Sequence, residues 1–109
     1  MFHGLLCVAF SVLLLALAGC EALQSGAPPV TPAMVRIAGG SGGSSESLAK
    51  GRRLLAQRCT NCHALEPVVK YTAVQWEANV QDMAVRSGLT EPETREITAY
   101  LVAARGSLP

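Results

Sequence analysis

Cys59-Thr60-Asn61-Cys62-His63 is the densest cluster of reactive side chains in the sequence. Two thiols stand three positions apart, and an imidazole follows the second directly. CxxCH is the signature of covalent haem attachment. The thiols form thioethers with the two haem vinyl groups, and the adjoining His is thereby pointed at the iron as proximal ligand. Other chemistries use parts of the same string. A dithiol redox site needs a βαβ surround, and no strand pattern occurs here. A closed zinc site needs a fourth ligand beside Cys59, Cys62 and His63, and the remaining Cys and His fall in or beside an N-terminal leader described below. A plain Cys59–Cys62 disulfide would leave a small unit with a thin core. One covalently held haem c supplies the apolar surface such a unit lacks, and the string supports that reading best.

The elements that must position these residues are helical. Ser45-Glu46-Ser47 starts a helix that carries Leu48, Gly51 and Leu55 on one face, with Leu54 beside it, and leads into Cys59. Thr72 with Gln75 makes a capping box for a second helix. Its stripe is Ala73, Trp76, Val80, Met83 and Ala84, and Gly88 stands where a left-handed C-cap is wanted. Thr90-Glu91-Pro92-Glu93 opens a third helix, with Thr90 as cap and Pro92 in the first turn. Ile97, Tyr100, Leu101 and Ala104 form its stripe, which ends at Gly106. The fold class is therefore all-α, three helices packed around the cofactor.

Composition narrows the rest. The chain has 109 residues and a formal charge of +1, so it holds one domain at most and lacks the basic footprint of a nucleic-acid binder. All 17 acidic and basic residues lie after residue 19. Leu5 to Ala18 is an apolar run of 14 residues, too short for an ordinary spanning helix and suited to a secretory signal. The preceding Met1-Phe2-His3-Gly4 departs from that pattern in carrying no Lys or Arg. Residues 20–45 contain Pro28, Pro29 and Pro32, then a Gly/Ser run over 39–45, and read as a flexible linker. As a coil, residues 22–45 would span about 25–30 Å. Within it, Met34-Val35-Arg36-Ile37 is read as an incidental apolar cluster, with docking onto the folded domain as the alternative. The division is then 1–19 signal peptide, 20–45 linker and 46–109 haem domain.

Leu17-Ala18-Gly19-Cys20 resembles the lipobox of bacterial lipoproteins. The resemblance implies cleavage before Cys20, a lipid on its thiol and a stable membrane anchor. Cys7 and His3 would leave with the signal. Glu21 follows the lipidated position. In enterobacterial lipoproteins an Asp there tends to hold the protein at the inner membrane, so its absence leans toward the outer one.

Residues 46–105 resemble a small class I monohaem cytochrome c. In that family a helix precedes CxxCH, and a Gly on it lets an aromatic of the last helix pack closely. Gly51 and Tyr100 match those two roles. Trp76 to Met83 resembles the W-x₃-V-x₂-M stretch of a short subfamily that includes cytochrome subunits of periplasmic oxidoreductases. The resemblance implies a periplasmic carrier of single electrons, anchored by Cys20, whose partners are redox proteins such as a periplasmic oxidoreductase or a respiratory complex.

The sixth iron ligand follows from what remains after cleavage: His63, already used, and two Met. Ordering Met34 out of the linker would cost about 1–2 kcal/mol per residue. Met83 already shares the inward face of Trp76 and Val80 and is the expected distal ligand. Nineteen residues separate it from His63, with Lys70, Tyr71 or water as the alternatives. A Met ligand favours ferrous iron. The second functional reading is a gas-binding or sensory haem domain with an open or displaceable sixth position. No hydrolytic triad or carboxylate pair occurs, so an enzyme is not expected. Tyr71, Trp76 and Arg86 are candidate partners of a haem propionate; the plainer reading puts Tyr71 and Trp76 in the core and Arg86 in solvent. Lys50, Arg52, Arg53, Arg58 and Lys70 either steer an acidic partner or form a solvated face.

Overall fold

The computed structural model describes residues 25–109. The signal reading of 1–19 and the lipidation site Cys20 lie outside the described residues. The element order is α1 (Pro32–Gly39), α2 (Ser45–Arg58), a 3₁₀ turn (Val68–Lys70), α3 (Ala73–Ser87) and α4 (Glu91–Gly106). No strand occurs among the described residues, and no helix there is long and apolar enough to cross a membrane.

Local sequence accounts for the helix ends. Ser44, one residue before the expected start, caps α2 in a reciprocal box with Ser47. Thr72 with Gln75 and Thr90 with Glu93 close boxes at α3 and α4. Each box satisfies backbone donors that the first turn leaves open. Gly88 ends α3 at φ +63°, a left-handed conformation that costs glycine nothing.

Helix α4 is the hub, packing against α1, α2, α3 and the 3₁₀ turn. It buries Ile97, Tyr100, Leu101 and Ala104, the expected stripe, together with Thr94 and Ala103. Opposite it stand Leu48 and Leu55 from α2, and Trp76 and Val80 from α3. At Gly51 a Cβ would fall on the Glu96 carbonyl oxygen and 2.9 Å from Tyr100 Cβ. Only glycine allows α2 to lie this close to α4.

The structure corrects the linker. Met34 and Ala38 lie one turn apart on α1, and both are buried in the common core, Met34 at 1% exposure. Thr31 caps this helix by accepting from the Met34 amide, and Pro32 sits in its first turn. Upstream, the Ser25 carbonyl accepts from the Val68 amide at 3.1 Å. The Ala27 carbonyl accepts from Arg52 Nε at 3.0 Å, and the Pro28 carbonyl from the Tyr100 hydroxyl. Residues 25–39 are therefore a strap and a fourth helix of the domain. The Met34-to-Ile37 cluster is a docking face, and the folded unit extends well upstream of residue 46.

Met34→Ala is expected to lower the unfolding free energy by about 2–5 kcal/mol in urea titrations, the range for deleting a buried large side chain. A loss below about 0.5 kcal/mol, the level of surface substitutions, would contradict the docking of α1.

Candidate functional site

Helix α2 ends at Cys59, whose amide still bonds back to the Leu55 carbonyl at 3.1 Å. Residues 59–67 then turn without regular secondary structure, and Thr60 Oγ1 ties the turn to the Ala56 carbonyl at 2.8 Å. The Cys59 thiol is half-buried, and that burial raises its pKa against the opposing pull of Arg58. Cys62 is exposed, and no disulfide joins it to Cys59.

His63 Nδ1 lies 2.7 Å from the Ala64 carbonyl oxygen. A carbonyl only accepts, so Nδ1 is the donor in this bond and Nε2 is the ring nitrogen outside it. A hydrogen bond of this kind orients an imidazole and strengthens its other nitrogen as a ligand.

The opposite wall is built by α3. The Trp76 indole donates to the Val68 carbonyl at 2.8 Å, and its ring meets Tyr71 edge to face with centroids 5.0 Å apart. Arg105 Nε in turn holds the Tyr71 carbonyl at 3.1 Å. These bonds fix the 3₁₀ turn against α3 and α4. Met83 is half-buried, two turns beyond Trp76 on the same face.

Between the walls lies a cleft of about 260 Å³. Cys59, His63, Tyr71, Trp76 and Met83 all line it, so five residues singled out in the sequence share one space. Leu55 and Leu101 make its walls apolar. Cys62, Lys70 and Arg86 do not line it. Arg86 is exposed and paired with Asp82 at 3.2 Å, while Lys70 pairs with Glu66 at 2.9 Å. Among the described residues no three His, Cys, Asp or Glu side chains converge as a metal cluster.

Gly26, Leu65 and Asn79 also line the cleft and were not singled out in the sequence. Asn79 stands four residues before Met83, a spacing that puts both on one helix face and could have found it. Gly26 had no signal, because it lies in Pro-rich chain. Four of the five basic residues flanking the motif are held in place. Lys50 pairs with Glu96 at 3.0 Å, Arg58 reaches Gly88 and Glu93, Arg52 bonds to Ala27 and Lys70 bonds to Glu66. Arg53 is exposed. These contacts favour the structural use of the set over steering.

Among known proteins, the chain matches no family model, no curated protein and no solved structure.

With both thiols free, iodoacetamide at about pH 8 is expected to alkylate Cys62 several-fold faster than Cys59, as read by fragmentation of the labelled peptide. Thiolate is the reacting form, and the raised pKa and half-burial of Cys59 both act against it. Equal or reversed rates would contradict this placement of the two thiols.

Proposed function

We propose that this chain is a lipid-anchored c-type cytochrome that carries single electrons between redox proteins on the periplasmic side of a bacterial membrane. The observation that carries the reading is the donor set. One cleft brings together Cys59 at a helix end, a His63 whose Nδ1 is engaged by the Ala64 carbonyl, and the Met83 thioether. Those are three of the four donors that CxxCH attachment and two-sided iron ligation require; the fourth, the Cys62 thiol, stands on the adjoining turn outside the cleft.

A haem c bound in this cleft supplies reversible one-electron chemistry at iron. The chain's own residues do the rest. Cys59 and Cys62 are the attachment thiols, and the exposed turn leaves Cys62 accessible. His63 Nε2 is the proximal ligand, aligned by the Nδ1 bond to Ala64. Met83 is the distal ligand, a soft donor that favours ferrous iron. Leu55, Trp76 and Leu101 exclude water from the iron's surroundings. The cleft of about 260 Å³ is just below the range of about 300–1,000 Å³ typical of small-molecule sites. Residues 59–67, the wall without regular structure, are the part able to yield to a macrocycle. Ligation by both His63 and Met83 would leave a substrate no place on the metal, which favours a carrier over an enzyme. The lipobox-like Leu17-Ala18-Gly19-Cys20 supports the anchor, with the outer membrane slightly favoured. A periplasmic oxidoreductase or a respiratory complex is the kind of partner this implies.

The ferric protein is expected to show the weak long-wavelength absorption band of thioether ligation. The band should vanish in Met83→Ala and persist in Met34→Ala, since Met34 is buried away from the cleft under α1. The reduced wild type should bind carbon monoxide slowly and weakly. A band that survives Met83→Ala, or rapid tight binding of carbon monoxide, would contradict the carrier reading and favour a gas-binding or sensory site.

A further inference from the structure

The strap that precedes α1 sets how far the cleft can stand from the membrane. Its backbone is bonded to the domain at three successive points: Ser25 to Val68, Ala27 to Arg52 and Pro28 to Tyr100. Two of those partners differ in kind, since Arg52 projects from α2 while Tyr100 is fully buried on α4. Release of the strap would leave the buried phenol without an acceptor, which opposes that release. Gly26 lies between the first two bonds and lines the cleft itself. A Cβ there would come within 2.5 Å of Leu65 Cβ and 2.8 Å of the Glu66 carbonyl oxygen. The strap is thus packed onto the turn that carries His63.

Cys20, outside the described residues, is six positions before Gly26. Six residues reach at most about 20–22 Å whatever their conformation. We infer that the cleft is held at the bilayer surface, and that its electron partner is one whose docking face lies at that surface. This rests on the anchored cytochrome reading proposed above. A linker of two dozen free residues would let the domain swing out to partners standing well above the membrane. A strap pinned from Ser25 onward removes nearly all of that freedom. A partner whose docking face stands far above the membrane is beyond reach, whereas one that opens at the periplasm-facing headgroups is met continuously.

The test uses the full lipidated protein with its haem, inserted in phosphatidylcholine vesicles doped with a headgroup-labelled fluorescent lipid. Haem absorbs the label's emission, and the quenching falls steeply with distance. A variant with about 20 Gly/Ser residues inserted between Gln24 and Ser25 leaves every described contact intact and lengthens the mean reach of the tether from about 12–15 Å to about 25–31 Å. The native chain should quench about twofold more strongly than this variant, or better, at equal surface density. Equal quenching would overturn the inference while leaving the anchored-cytochrome reading standing. Flotation and the absorption spectrum of the same vesicles report the anchor and the haem. Absence of either would overturn that reading, and the inference with it.

Discussion

The contact of α2 with α4 at Gly51 governs the rest of the molecule. With no side chain at 51, the α2 backbone settles against the Glu96–Tyr100 turn, and Tyr100 is driven fully inside. Burial pushes its phenol up to about 12, so the hydroxyl remains a donor throughout the physiological range. That donor meets the Pro28 carbonyl and so fixes the strap. One turn beyond Gly51, Leu55 is buried and lines the cleft with Leu101 of α4, while Cys59 closes the same helix. The separation of two backbones thus sets where the first thiol of the CxxCH string stands relative to the α3 wall. The close approach has a cost: Glu96 keeps one carboxylate oxygen on Lys50 and leaves the other buried without a partner.

The polar contacts around the cleft work mainly as positioning bonds. Trp76 and Arg105 spend their donors on the Val68 and Tyr71 carbonyls, the two ends of a 3₁₀ turn that no longer helix stabilises. Arg52 and Arg58 likewise bond to backbone carbonyls of the strap and of the α3–α4 corner. Exposed ion pairs such as Arg86–Asp82 add little to stability by comparison. The result is one cleft, apolar at Leu55, Trp76 and Leu101 and polar at Glu66, Asn79 and Asp82, with helical walls on two sides and an irregular turn on the third.

Much of this was legible in the residues alone because the signals were local. Thr72 with Gln75, Thr90 with Glu93, and Gly88 announce their helix ends through hydrogen bonds made within a few residues. The stripes of α3 and α4 follow from a 3.6-residue period, and the same period turned Met83 toward Trp76. Gly51 and Tyr100 were paired by resemblance, and the packing at Gly51 gives that pairing its physical reason. Helix α1 escaped because it is short, offers only Met34 and Ala38 to the core, and lies between Pro-rich and Gly-rich chain. Its stability and that of the strap come from distant partners, Arg52, Val68 and Tyr100, which leave no trace in local composition. Gly26 became part of the site through the same long-range bonds.

The central claim is that Cys59 and Cys62 hold a haem through bonds that survive unfolding. Intact-mass measurement of the fully denatured chain, produced in cells competent for c-type maturation, addresses it directly. A thioether-linked haem predicts that the denatured polypeptide carries the added mass of one haem. That mass should be missing when both cysteines are replaced by alanine. A bare polypeptide mass with two free thiols at Cys59 and Cys62 would contradict the assignment.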